Sequence, residues 1–126
     1  MIKRVAATII NPEDIGTSFL VQQVAGQYKF YNFEVLADQT PLASVLWKLR
    51  HEVGIDVDQL RLYDSVVAQS ETENISLFVF NHLKVDESVR EACARQGLLF
   101  VSASKLHGLF ESVKVSTMPF FEKLSK

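Results

Sequence analysis

Residues 33–55 constrain the fold more than any other segment, because they carry the start and the end of one helix. Thr40 is a favourable N-cap residue, and Pro41 suits the first helical position, where a missing N–H costs nothing. Gly54 can adopt the left-handed conformation that ends many helices. The sequence therefore predicts a helix over residues 41–53.

The predicted helix has an apolar stripe and a separate polar face. Its apolar residues recur at helical spacing, which requires burial against another element. The stripe consists of Leu42, Val45, Leu46, Leu49 and Val53. Lys48, His51 and Glu52 are three or four positions apart, so they share a different face of the helix. Any chemistry of this helix is expected on that second face.

Strand patterns flank the helix on both sides. Segments rich in β-branched or alternating apolar residues predict strands over 3–10, 17–24, 28–35, 60–68, 75–83 and 98–101. The strand over 75–83 turns Ile75, Leu77 and Val79 to one side and Phe78 and Phe80 to the other. Layers must therefore cover both faces of the sheet.

The remaining segments are mostly polar connections. Residues 11–16, 25–27 and 69–74 have turn composition. Residues 86–95 are polar with some helical spacing and are interpreted as a loop with one helical turn. A short helix is predicted over 104–110.

Bulk composition excludes several classes of protein. The chain has 126 residues, 48% of them hydrophobic, which predicts one globular domain over 1–126. The formal charge of −2 and the scattered basic residues argue against binding to a nucleic acid duplex. No apolar run suits a bilayer span or a secretory signal, so we expect a soluble cytoplasmic protein without membrane contact. Cys93 is the single cysteine and is interpreted as a small helix residue.

The layout of residues 33–55 resembles the Nudix box, a loop, helix and loop that hold divalent metal against a diphosphate. The end of the box is kept as Leu49, Glu52, Gly54 and Ile55, and Asp-Gln-Thr-Pro at 38–41 is similar to the family's Gly-Glu-Thr-Pro helix start. The resemblance implies an α/β (α+β) fold, namely a Nudix-like α/β/α sandwich with a mixed, mostly antiparallel sheet. It also implies a C-terminal helix over 117–124.

The box is degenerate at most of the positions that carry Nudix chemistry. The substituted positions are Asn32 and Phe33 at the glycines, Gln39 at the first glutamate, Trp47 at the arginine, and Lys48 and His51 at two helix glutamates. Glu52 alone retains a carboxylate. A bulky Phe33 is expected to crowd a loop whose backbone normally approaches metal and phosphate.

A hydrolase of this family needs divalent cations, which prefer several oxygen ligands. Glu52 is the candidate catalytic residue, and Glu52 with His51 is the candidate metal-binding pair. Lys48 is expected to pair with Glu52 in competition with metal. Further ligands could come from Glu34, Asp38, Asp64, Glu71, Glu73 or Glu91. We expect no cofactor, with Mg²⁺ or Mn²⁺ bound only if the chain is a hydrolase. A solvated helix face with one ion pair is the alternative interpretation.

The third predicted strand is dense in aromatic residues. The resemblance implies that aromatic residues near this sheet stack on a base, which makes Tyr28 and Phe30 the candidate substrate-binding residues. The alternative is that these two residues, with Tyr31 and Phe33, fill the core and pack against the helix.

The sequence is compatible with three functions. The helix boundaries and apolar stripe are kept while the carboxylates are lost, which favours a non-hydrolytic domain that binds a nucleotide or another small molecule, or an interaction module. The second is a divergent Nudix-type pyrophosphohydrolase acting on nucleoside diphosphate derivatives. The third is a structural homodimer or partner-binding domain that uses Trp47 or the aromatic strand. The non-catalytic interpretations are preferred.

Overall fold

The computed structural model describes residues 4–13, 16–69, 74–110 and 113–114 of the chain. These residues contain the strands β1 (Arg4–Glu13), β2 (Gly16–Val24), β3 (Gln27–Lys29), β4 (Tyr31–Glu34), β5 (Arg61–Gln69), β6 (Asn74–Asn81), β7 (Leu98–Ser102) and β8 (Val113–Lys114). The helices are α1 (Pro41–Lys48), α2 (Glu87–Arg95) and α3 (His107–Phe110). Short 3₁₀ turns occupy Val57–Gln59 and Ala103–Lys105.

Strand β1 organises the sheet, because it pairs with three other strands. It is parallel to β6, with Val5 opposite Ser76, and antiparallel to β4 and β2. Its first half pairs with β4 and its second half with β2. The other pairs formed by the described strands are antiparallel: β2 with β3 and β7, and β5 with β6 and β8. The predicted mixed, mostly antiparallel sheet is confirmed.

Apolar side chains cover both faces of the sheet and form two cores. The α1-side core includes Val5, Ala7, Ile9, Phe33, Val45, Leu49, Val53, Phe80 and Cys93. The α3-side core includes Ala6, Ile10, Phe30, Ile75, Leu77, Val79, Val101 and Leu106, with Leu109 packed against it. The alternation predicted for β6 is therefore confirmed. Helices lie on both faces of the sheet, as an α/β/α sandwich requires.

The predicted helix boundaries are confirmed, but the last turn of the helix is wider than expected. The Thr40 hydroxyl accepts a hydrogen bond from the Ala43 N–H at 3.1 Å, and Gly54 has φ +89°. Over Leu49–Val53 the helix continues as a π turn, in which the Gly54 N–H donates to the Leu49 carbonyl at 3.0 Å. The apolar stripe faces the α1-side core as predicted.

The single strand predicted over 28–35 is wrong, since β3 and β4 are separate strands on either side of Phe30. β3 pairs with β2, whereas β4 pairs with β1. The Asn32 side-chain amide donates a hydrogen bond to the Phe30 carbonyl at 2.8 Å, at the junction between the two strands. The chain thus changes its partner strand at Phe30.

The segment predicted as a loop with one helical turn is instead helix α2. The Asp86 carboxylate caps it by accepting a hydrogen bond from the Val89 N–H at 2.9 Å. Cys93 is fully buried, and Arg90 forms an ion pair with Glu13 of β1 at 3.2 Å. Val89 and Cys93, four positions apart, face the α1-side core. The other side of the helix is polar, so the sequence shows only a weak apolar stripe.

Three other predictions differ in extent or lie outside the described residues. Strand β1 continues to Glu13, so residues 11–13 are not part of a turn. The helix predicted over 104–110 divides into a 3₁₀ turn and α3. The C-terminal helix predicted over 117–124 lies outside the described residues. Each helix that the structure describes is too short or too polar to cross a bilayer.

Candidate functional site

The loop before α1 is held against the helix by side-chain hydrogen bonds. The hydroxyl of Ser44, a fully buried residue, accepts a hydrogen bond from the Leu36 N–H at 2.9 Å. Asp38 has φ +63°, a left-handed conformation that non-glycine residues rarely adopt. The resemblance implies glycine at this position, and Asp38 adopts a conformation that glycine reaches without strain.

Lys48 and Glu52 form an ion pair on the polar face predicted from the sequence. The Lys48 Nζ lies 2.6 Å from the Glu52 Oε2, and the two side chains are 20% and 40% exposed. The Lys48 Nζ also lies over the ring of Phe33, 5.4 Å from its centroid. The Glu52 carboxylate is therefore paired with a cation from the same helix.

Tyr31 extends this cluster from strand β4. Its ring centroid lies 5.0 Å from that of Phe33, at 55° between the ring planes. Burial, together with the negative charge of Glu52, raises the pKa of Tyr31 to about 12. At neutral pH the phenol is therefore protonated and can donate a hydrogen bond.

Trp47 and His51 lie beside each other on the exposed side of the same helix. Their ring centroids are 4.9 Å apart, at 38° between the planes. Trp47 is 40% exposed, which is unusual for so large an apolar side chain. His51 thus contacts an aromatic ring next to the Lys48–Glu52 pair.

The structure separates the predicted substrate-binding residues from the predicted catalytic residue. Phe30 is 5% exposed and belongs to the α3-side core, against which Tyr28 packs. The ion pair of Glu52 contacts Phe33, which belongs to the α1-side core. Sequence reasoning did not assign Tyr31 to the site. The signal was available, because Tyr31 and Phe33 are two positions apart on one strand and share a face.

The described residues do not fit a divalent metal ion in the way that the resemblance implies. No group of three or more His, Cys, Asp or Glu side chains converges among them. Glu71 and Glu73, two of the further candidate ligands, lie outside the described part. Mg²⁺ and Mn²⁺ prefer several oxygen ligands, whereas Glu52 offers one carboxylate that already contacts an ammonium.

Comparison of the whole structure with solved structures decides the fold. A Nudix hydrolase of M. smegmatis, RenU, superposes with a TM-score of 0.62 at 12% identity, covering 97% of this chain and 83% of that chain. The chain has the Nudix fold.

Two further structures with this fold give the same result. The C. elegans Ap4A hydrolase superposes with a TM-score of 0.57 at 9% identity, over 98% of this chain and 94% of that one. NrtR of Shewanella oneidensis superposes with a TM-score of 0.61 at 13% identity, over 98% of this chain and 62% of that one. No protein-family model and no curated protein sequence matches the chain. At such low identity the likeness shows the Nudix fold alone.

Proposed function

We propose that this protein is a non-hydrolytic Nudix-fold domain that binds a nucleotide or another small molecule without a divalent metal ion. The observation that carries the proposal is the Lys48–Glu52 ion pair, with 2.6 Å between Nζ and Oε2. It joins the retained carboxylate of the box to a cation. Hydrolysis of a diphosphate requires a metal ion there, to neutralise the phosphate oxygens and to activate water.

The surroundings of the pair support binding in preference to hydrolysis. Phe33 lies under the Lys48 ammonium, at the position where the box has a glycine. Phe33 is only 8% exposed and fills space between strand β4 and helix α1. Its ring therefore prevents a ligand from approaching the backbone of residue 33. Nearby, Trp47 and His51 offer an exposed pair of rings on which a planar ligand group can stack.

A thermal-shift screen of nucleotides and their derivatives tests the binding function. The screen is run twice, once with a chelator and once with Mg²⁺. We expect at least one compound to raise the melting temperature in both runs by a similar amount, because no metal takes part in binding. A flat response across the panel would reject the proposal.

Two variants test whether the ligand binds at the exposed rings of Trp47 and His51. Trp47→Ala is expected to reduce the stabilisation by a ligand that stacks on this surface. Leu62→Ala removes a comparably exposed apolar side chain, 48% exposed, from strand β5. It is expected to leave ligand stabilisation unchanged. Equal effects of the two variants would place the ligand elsewhere.

A divergent hydrolase is the second candidate, and it is favoured by the structural neighbours that are hydrolases by name. Glu52, whose side chain is 40% exposed, would be its metal ligand. The test is release of phosphate or nucleoside monophosphate from nucleoside diphosphate derivatives with Mg²⁺ or Mn²⁺. Turnover that Glu52→Gln abolishes would show that the protein is a hydrolase and would reject the non-hydrolytic binding function.

A partner-binding role is the third candidate, and the exposed Trp47 favours it, because tryptophan is enriched at the centres of interfaces. The partner could be a second copy of the chain. Sedimentation of the wild-type protein and of Trp47→Ala over a range of concentrations tests the homodimer. A monomer at all concentrations would reject it.

A further inference from the structure

The ammonium of Lys48 is held from two sides by groups of different elements. The Glu52 carboxylate, in the π turn after α1, lies 2.6 Å from the Nζ. The ring of Phe33, on strand β4, has its centroid 5.4 Å from the same atom. The Lys48 side chain is 20% exposed, whereas that of Glu52 is 40% exposed. The cation is therefore more enclosed than its counter-ion.

We infer that Phe33, Lys48 and Glu52 form an internal ammonium site, in which the protein's own lysine takes the place that a divalent cation would need at Glu52. The inference rests on the proposed function and deepens it, because it names Lys48 as the residue that makes the site metal-independent. The disagreement between these residues and the metal site implied by the fold is thereby explained.

The chemistry of the groups selects an ammonium over a divalent ion. An aromatic face attracts a monovalent organic cation through its quadrupole. It supplies no oxygen ligand, whereas Mg²⁺ and Mn²⁺ require a shell of oxygen atoms. One carboxylate balances the single charge of Lys48 and leaves no negative charge for a second cation. A metal ion at Glu52 must therefore displace Lys48 or be repelled by it.

Binding of Mn²⁺ to the folded protein in the absence of nucleotide tests this inference, with the free ion measured by electron paramagnetic resonance. Four proteins are compared: the wild type, Glu52→Gln, Lys48→Glu and Arg50→Glu. Arg50→Glu is the matched control, because it changes the charge of the same helix by the same amount. Arg50 pairs with Asp58 at 3.1 Å and does not contact Glu52 in the described structure.

We expect the wild type and Glu52→Gln to bind Mn²⁺ equally weakly, since Glu52 is not available to the metal. Lys48→Glu places a second carboxylate beside Glu52 and removes the competing cation. It is expected to bind Mn²⁺ about tenfold more tightly than Arg50→Glu, because ligand charge tunes the affinity of such sites. Circular dichroism of each variant verifies that it is folded.

Two results would overturn the inference. The first is Mn²⁺ binding by the wild type that Glu52→Gln weakens about tenfold or more, the scale on which loss of a supporting group acts at a metal site. This comparison does not depend on the folding of any Lys48 variant. The second is equal Mn²⁺ affinity of folded Lys48→Glu and Arg50→Glu. A flat nucleotide screen would reject the proposed function without affecting this titration, which contains no nucleotide.

Discussion

The ammonium group of Lys48 lies 5.4 Å from the centroid of the Phe33 ring, so a cation and an aromatic face join helix α1 to strand β4. The resemblance to the Nudix box implies a metal-binding carboxylate at position 48 and a glycine at position 33. Both substitutions meet at one place in the structure. A cation lies where the resemblance implies an anion, and a ring lies where it implies open space above the backbone.

Phe33 is expected to act as a core residue whose removal the protein tolerates poorly. It is 8% exposed and belongs to the α1-side core. Phe33→Ala should lower the free energy of unfolding by about 3–5 kcal/mol, because a buried ring leaves a cavity. Urea denaturation measures the change. Phe33→Leu, which keeps most of the volume, should cost less, and equal losses for both variants would contradict the packing role.

Gly54 is expected to end the helix through its backbone conformation. Its φ of +89° is costly for residues with a Cβ atom, although no atom lies within 4 Å of a Cβ built there. Gly54→Ala should therefore destabilise the protein by about 1–2 kcal/mol through backbone strain alone. Gly108→Ala is the control, because it has equal space in α3 and no positive φ. Thermal unfolding that shifts equally in both variants would refute this account.

The pKa of Tyr31 predicts a loss of stability at high pH. Tyrosine titrates near pH 10 when exposed, and burial together with the charge of Glu52 raises the pKa of Tyr31 to about 12 in the folded state. The fold therefore favours the protonated phenol. This contribution is complete below pH 10 and is lost as the pH rises towards 12. Its size is on the order of 1 kcal/mol, because the side chain is partly exposed.

Comparison with Tyr31→Phe isolates this effect from other titrating groups. The difference in unfolding free energy between wild type and variant should decrease between pH 10 and about 12. The tyrosinate absorbance of the wild type, minus that of the variant, should give a titration midpoint near pH 12 for Tyr31. Glu52→Gln is expected to lower this midpoint. A difference in unfolding free energy that stays constant from pH 10 to about 12 would contradict the raised pKa of Tyr31.

The Lys48–Glu52 pair is expected to contribute modestly to stability. A double-mutant cycle with Lys48→Ala and Glu52→Ala should give a coupling of about 0.3–1 kcal/mol, which decreases with added salt. The Arg50–Asp58 pair is the control, because its side chains are 52% and 85% exposed and its distance is 3.1 Å. Its coupling should be smaller. Equal couplings would indicate that the enclosure of Lys48 has no energetic effect.

The sequence predicted the parts of the fold that depend on neighbouring residues. The caps of α1 at Thr40 and Gly54 are confirmed, because both act within one turn of the chain. The two faces of β6 are also confirmed, because alternation alone sets them. The ion pair of Lys48 with Glu52 follows from i, i+4 spacing in the same way.

Other features depended on contacts that local patterns do not reveal. The sequence of helix α2 predicts only one helical turn, because most of its residues are polar and the burial of Cys93 against the sheet is not visible in the pattern. The strand over 28–35 divides at Phe30, because its two halves pair with different strands. Hydrogen bonds to a distant strand, not the residues of the segment, decide where such a strand ends.

By itself, the sequence determined the two boundaries of the helix and the pairing of Glu52 with Lys48 on its polar face. Only the tertiary structure decided that Tyr28 and Phe30 lie on the opposite side of the sheet from Lys48 and Glu52. The reason is geometric. A strand turns successive side chains to opposite faces, and only pairing with β1 fixes which face meets the helix.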